Sequence, residues 1–473
     1  MTLLAEQKCN QRGRDFGLLF RNQYILSRSS KREQPSWPKK SLNGWTLHHG
    51  TGLHILEILD TQAHCTGFLL GHALAENSTL IRDALCVPAH RSDPDFPAKF
   101  ENLIADLSGK YVAICLTKNT KRIYGDPVSD IPTLFESKTR RVASSIGLVL
   151  KRKIRPNPLF PVKNVISGIQ TLSFGQTVDV SVNRVLPNHY LDLDQFELNR
   201  FWPSEIDQLT ASSENSSEII DEITARLTAH LKTWSSEFNC ILPITGGRDT
   251  RTLLACASDF LHNVREFSGY RFNNTTKRDA KTGNMILASL GLPYKQYFKT
   301  LPSTNQIRDM RLKMGWSGYR GELGAIGCIE RYPMDHVILR GNIMEILRAN
   351  QYRRDKIGVP LHIVHAIRRT GAAPLAIRKK ILEWEGPYYA WLEKLPQNAH
   401  QRVYDFGFLE LLLPNSQGTY ITAMHRTPFI NPFNDRKLIH LALSLPPEIR
   451  IENKIYDEII RRRNPKLLEI PFN

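Results

Sequence analysis

Apolar residues along this chain follow two different rhythms. From about residue 46 to 190 they gather in short runs set off by turns. "LHILEILD" (Leu53–Asp60) and "YVAICLT" (Tyr111–Thr117) read as strands, and "KNTKRIYGD" reads as a turn entering another. "RVASSIGLVLKRK" predicts a strand running into a helix. The alternation Thr177-Val178-Asp179-Val180-Ser181-Val182 fits a half-buried strand. Residues 1–45 are basic and polar with few periodic apolar positions, which predicts a loosely ordered edge.

The rhythm changes after the aromatic connector "NHYLDLDQFELNRFWPSEI" and the Ser-rich "LTASSENSSE". Ile219, Ile220, Ile223, Leu227 and Leu231 recur at helical spacing. Strand and helix then alternate: "CILPI" a strand, "DTRTLLACASDFL" a helix, "VREFSGY" a strand, "KRDAKTGNMILASLGL" a helix, "YKQYF" a strand, and later "HVILRG" a buried strand. Such βαβα order predicts a parallel sheet with helices on both faces.

A chain of 473 residues has room for two or three domains with cores of their own. With 41% hydrophobic and 23% charged residues its composition is that of a soluble globular protein, and no apolar run approaches the ~18 residues that span a bilayer. "MTLLAEQKCNQRGRDF" lacks the pattern of a secretory signal. The seven cysteines are scattered, with no C-x-x-C pair, so reduced thiols and a cytoplasmic setting are expected, with neither a disulfide framework nor a zinc site. The net charge of +17 favours anionic ligands. It is spread over "SSKREQPSWPKK", "KRKIRPN", "AIRRTGAAPLAIRKK" and "IIRRRNPK" without interleaved aromatics, which argues against a nucleic-acid strip.

Chemistry concentrates in "TGGRDT", Thr245–Thr250, where the first strand of the alternating region meets a helix. Ligands bind at the carboxyl ends of strands in an open parallel sheet. Gly246 and Gly247 let backbone N–H groups approach an anion, and the helix N-terminus adds unpaired donors. Thr245 and Thr250 offer hydroxyls. Asp249 would repel phosphate unless a divalent cation such as Mg²⁺ bridges the two. The other reading is a plain Gly-Gly turn with Asp249 as helix cap.

"TGGRDT" resembles the Ser-Gly-Gly-x-Asp-Ser loop of the asparagine synthetase family of N-type ATP pyrophosphatases, with threonines in place of both serines. The resemblance continues through "REFSGYRFNNTTKRDAKTGNMILASLGLPYKQY", "HVILRGNIMEILRANQYRR" and "HRTPFINPFNDRKLIHLALSLPPEIR", strongest from 240 to 450. It implies a basic segment at 1–45 and a degenerate glutamine amidotransferase-like domain at 46–200, an Ntn-like α+β sandwich. A linker at 201–217 would lead to a parallel-sheet, PP-loop ATP-pyrophosphatase domain with added helices at 218–473. The implied cofactors are ATP and Mg²⁺. Carried over by position, Thr245, Gly246, Gly247, Asp249 and Thr250 would hold pyrophosphate, and Leu242 and Phe267 would lie where adenine is contacted. Arg340 and Gly341 would touch the nucleotide, and Asp249 and Glu345 would ligate the metal. Arg248 and Glu345 are the candidate catalytic residues. Arg251 is a second source of charge near phosphate, and Arg426 and Asn431 match the Arg-x-Pro-Phe-Leu-Asp segment with Asn for Asp.

Three departures from that pattern stand out. Position 2 is Thr2 and the nearest cysteine is Cys9, so no amidotransferase nucleophile is expected. The acidic Gly-Ala-Asp-Glu loop is replaced by Asn342-Ile343-Met344-Glu345. Neither Lys454 nor Lys466 matches the family's late lysine. The resemblance therefore implies an ATP-dependent ligase that adenylates a small-molecule or peptide carboxylate and passes it to an amine, without its own glutaminase activity. A nucleotide-binding protein with impaired catalysis and a tRNA-modifying ATPase are the alternatives. No membrane partner is expected, and the oligomeric state is open.

Overall fold

A computed structural model describes residues 2–28, 37–210, 215–317, 331–357, 359–373, 378–415 and 427–473; Cys328 and Arg426 lie outside them. The chain is a mixed α/β structure with one parallel sheet and two largely antiparallel sheets. The antiparallel sheets stack face to face in the N-terminal half. In one, Tyr24–Arg28 lies between Arg141–Ala143 and Trp45–His49. In the other, Cys65–Leu74 and Ser108–Leu116 pair from Gly67↔Cys115 to Leu74↔Ser108. Alternation along Ser108–Leu116 decides what each face buries. Val112, Ile114 and Leu116 meet Tyr24 and Leu26 of the opposing sheet, while Tyr111, Ala113 and Cys115 meet Phe96, Phe100 and Ile104 of the helix Phe96–Asp106.

Two expectations fail here. The described part of residues 1–45 is not a loosely ordered edge: Leu4–Asn10 is a helix with Leu4, Ala5 and Cys9 buried, and Tyr24–Arg28 is an internal strand. These pieces are too short to show periodicity in a sequence window, and their burial comes from distant partners such as Leu150, whose carbonyl accepts the Leu4 N–H at 2.8 Å. The alternation at Thr177–Val182 is not a strand either. Thr177 Oγ1 donates to the carbonyls of Asp179 and Val182, and Asp179 takes Arg152, so local polar bonds win over ladder pairing.

The second half carries the five-stranded parallel sheet, in the order Lys295–Phe298, Glu266–Arg271, Cys240–Pro243, Val337–Leu339, Phe429–Ile430. The helix Ser216–Glu237 buries Ile220, Ile223, Leu227 and Leu231, as its spacing predicts. Among the described residues no helix is long and apolar enough to cross a membrane, and the six described cysteines are free.

The segment Asn431–Arg436 stitches the halves together. Asn431 donates to Asp130 at 2.7 Å, and Asn434 donates to the Gly109 carbonyl at 2.7 Å and to Asp126 at 2.9 Å. The buried Arg436 guanidinium donates to the carbonyls of Ile104 and Gly125 and to Tyr111 Oη, at 3.0 to 3.2 Å, and lies over the Phe201 ring. Arg436→Met leaves these buried acceptors without donors at about 1–3 kcal/mol each. It is expected to lower stability by about 3 kcal/mol in urea titrations. Tryptophan fluorescence and far-ultraviolet circular dichroism should then stop reporting a single transition.

Candidate functional site

Strand order in the parallel sheet reverses between Cys240–Pro243 and Val337–Leu339. Crevices open at the carboxyl ends of strands at such a point. The two loops that leave these strands, Ile244–Gly247 and Arg340–Ile343, meet there. Ile244 makes the last sheet-like bond, to the Ser268 carbonyl at 2.8 Å, and the helix Arg248–Cys256 begins with Gly247 at its N-cap and no capping side chain. The Thr250 hydroxyl accepts the Thr245 N–H at 3.1 Å and lies 3.0 Å from Thr245 Oγ1, which accepts the Gly247 N–H at 3.2 Å. Both threonines thus brace the loop from within.

Gly341 is required by contact with the first loop, because a β-carbon there would lie 2.8 Å from Asp249 Cβ. That close approach brings Asp249 and Glu345 together. Desolvation, reinforced by the charge of Asp249, pushes Glu345 up to about 7, and desolvation also raises Asp249. Glu345 Oε2 is buried without a hydrogen-bond partner. Asp249 accepts from the Tyr456 hydroxyl and lies 3.9 Å from Arg348 Nη2. Ile343, two residues before Glu345, holds φ +75°, a conformation that costs a β-branched residue on the order of 1–3 kcal/mol.

The two arginines beside the loop are already engaged by the protein itself. Arg248 pairs with Asp457 at 2.8 Å and stacks 3.9 Å from the Phe472 ring centroid. Arg251 is fully buried; it donates to the carbonyls of Leu467 at 2.9 Å and Pro471 at 3.1 Å, and also to those of Ile470 and Gly246. Asn473 follows, its N–H bonded to the Gly246 carbonyl at 3.2 Å and its carboxamide to Thr282 and Asp279. A β-carbon at Gly246 would fall on that carboxamide. The segment 470–473 therefore lies directly on the loop.

Leu242 and Phe267 are register partners, and both side chains are buried. Phe267 is the second residue of its strand, away from the carboxyl end. Arg340 donates its N–H to the Ile430 carbonyl at 2.9 Å and lies over the Phe429 ring. Asn431 reaches into the N-terminal half and not toward the loop. Elsewhere, Asp60, His64 and His90 bring donor atoms within 4.8 Å of one another, but three backbone N–H groups and the neighbouring Arg91 already answer the Asp60 carboxylate.

No family model matches this chain, and no curated protein sequence matches it. The site therefore rests on its geometry. Sequence reasoning missed Arg348, Tyr456, Asp457, Phe472 and Asn473. Tyr456 sits between Ile455 and Ile459 in an apolar helical pattern and reads as plain core. Arg348 lies in the quoted stretch His336–Arg354 but matches no role there, and Asp457, Phe472 and Asn473 belong to no motif.

An acid whose pKa rises on folding weakens the fold as pH rises, because the unfolded chain has already released that proton. The Glu345 carboxyl has an ordinary value of 4.5 and is pushed up to about 7 here, so stability is expected to fall across that window. Glu345→Gln should flatten the fall. Urea midpoints measured at intervals from about pH 4.5 to 7 check this.

Proposed function

We propose that this chain is an ATP-dependent ligase that activates a carboxylate as its adenylate and transfers it to an amine, forming an amide with release of AMP and pyrophosphate. One observation carries the reading: two loops at the reversal point of a parallel sheet press Asp249 and Glu345 together beside a Gly-Gly helix entry. The order of the five strands and the stacked antiparallel sheets support a PP-loop domain joined to an amidotransferase-like sandwich.

The donor set fits a divalent cation. Desolvation raises both carboxylates, the charge of Asp249 raises Glu345 further, and the buried Glu345 Oε2 lacks a partner. Asp249 and Glu345 would hold Mg²⁺, which when bound neutralises phosphate charge. The helix entry at Gly247–Arg248 aims backbone donors at the anion, and Thr245 and Thr250 keep that turn closed. Tyr456 fixes the Asp249 carboxylate by donating to it. For a pyrophosphate to reach Gly246, Asn473 must move off it. Burial pushes the Cys9 thiol up to about 11, which supports an N-terminal half that does not attack glutamine.

A second reading, nucleotide binding without adenylation, is favoured by the commitment of Arg248 to Asp457 and Phe472, which takes that guanidinium away from the phosphates. ATP–pyrophosphate exchange measured across a panel of carboxylates decides between them. The ligase gives exchange with one class of carboxylate, whereas ATP binding without exchange under every condition sinks it. Asp249→Asn is expected to lower exchange by about 10²–10³-fold. Arg248→Ala should lower it less than about tenfold, since its charge is already paired.

A further inference from the structure

The helix Asn274–Ser289 has two working faces. One, through Asp279 and Thr282, meets Asn473 above the nucleotide loop. The other borders a groove of about 580 Å³ along the sheet's edge strand, Lys295–Phe298. Lys277, Arg278, Lys281 and Asn284 line that groove from successive turns of the helix, and Arg271 and Gln296 line it from the sheet. The row from Asn274 to Asn284 runs about 15 Å.

Among the described residues, none of Arg271, Lys277, Arg278 and Lys281 has a carboxylate within salt-bridge distance. The nearby acids are engaged elsewhere: Asp279 by Asn473, and Glu266 by Lys295 and Tyr297. Between Arg265 and Lys313 the sequence holds ten cationic and three acidic side chains, a net +7 in a chain of +17. The helix and the neighbouring strands bring part of that charge to one groove. Phe298, at the end of the edge strand, is 49% exposed, and the Arg271 guanidinium lies 5.4 Å from its ring centroid.

We infer that this groove binds a single-stranded nucleic acid, its phosphates along Lys277, Arg278, Lys281 and Arg271 and one base stacked on Phe298. Unpaired cations in a concave row select a polyanion. An exposed ring beside them selects an unstacked base, which a duplex does not offer. The opposite face of the same helix carries the contacts to the nucleotide loop, so this surface is separate from the proposed ATP site and does not depend on that reading.

Fluorescence anisotropy of a labelled 12-nucleotide single-stranded RNA, titrated with the full chain at several salt concentrations, tests the inference. Four neutralised phosphates predict a slope of log K against log salt near −2.8, at about −0.7 per phosphate on a single strand. Lys277→Gln with Lys281→Gln should bring the slope to about −1.4. Phe298→Ala should weaken binding about tenfold or more with the slope unchanged. Thermal melts of both variants that match the parent exclude misfolding as the cause. Absence of binding at the lowest salt overturns the inference. So does equal competition by inorganic polyphosphate, polyglutamate or a duplex, or Phe298→Ala binding like the parent.

Discussion

Two carboxylates that repel one another in a poorly solvated crevice set the terms for the C-terminal half of this molecule. Asp249 opens the helix after the first loop and Glu345 follows the second; desolvation raises both, and the charge of Asp249 makes Glu345 harder still to ionise. Left alone they would drive the loops apart. The opposing restraints are specific. Gly341 has no side chain to hold Asp249 away, the Tyr456 hydroxyl bridges Asp249 and the Met344 carbonyl, and Arg348 supplies a nearby positive charge. Behind them Arg450 donates to the Ile346 carbonyl at 2.6 Å and pairs with the buried Asp405 at 2.7 Å, clamping the turn in which Ile343 carries its strained φ. Strain and repulsion are thus held in one place by over-determined contacts.

The N-terminal half is tied to this arrangement through a second polar cluster. Desolvation, strengthened by Asp126, raises Asp130 to about 7, and desolvation lowers Lys110 to about 8, so proton affinities converge where the antiparallel sheets meet the Asn431–Arg436 segment. The segment begins just after the parallel strand Phe429–Ile430, which pairs with Val337–Leu339. A shift of the sandwich would therefore reach the strand that feeds the Glu345 loop. That is a continuous path of packed backbone and not a surface contact between independent bodies.

Much of the parallel sheet was legible because its signals are local. The apolar run Cys240–Pro243, the glycines after it and the helix Arg248–Cys256 lie in one stretch of sequence, and periodicity and glycine content report such stretches directly. Asp249 and Glu345 were named on resemblance, and the fold does bring them together. Tyr456, Asp457 and Phe472 were invisible because they reach the loop from more than two hundred residues away; the Tyr456–Asp249 bond alone spans 207. The burial of Leu3–Cys9 and the coil at Thr177–Val182 escaped for a related reason. In the first case tertiary partners create order that a short polar-looking segment does not announce, and in the second one aspartate and one threonine redirect the backbone. Arg251 is engaged differently from what its position suggests: a guanidinium beside a Gly-Gly helix entry suggests anion binding, yet Arg251 serves as a buried donor to main-chain carbonyls.

That carbonyl cage has a consequence for how the molecule comes to exist. Arg251 is met by acceptors 216 to 220 positions further along the chain. During vectorial synthesis from the N-terminus, the helix that opens the loop emerges with its guanidinium unsolved, and it waits until nearly the whole C-terminal half has followed. The sandwich and the first parallel strands are able to pack earlier, with their partners already translated. The loop thus closes later than the sheets that carry it, and a chain interrupted before Leu467 is left with formed sheets and an unfinished mouth.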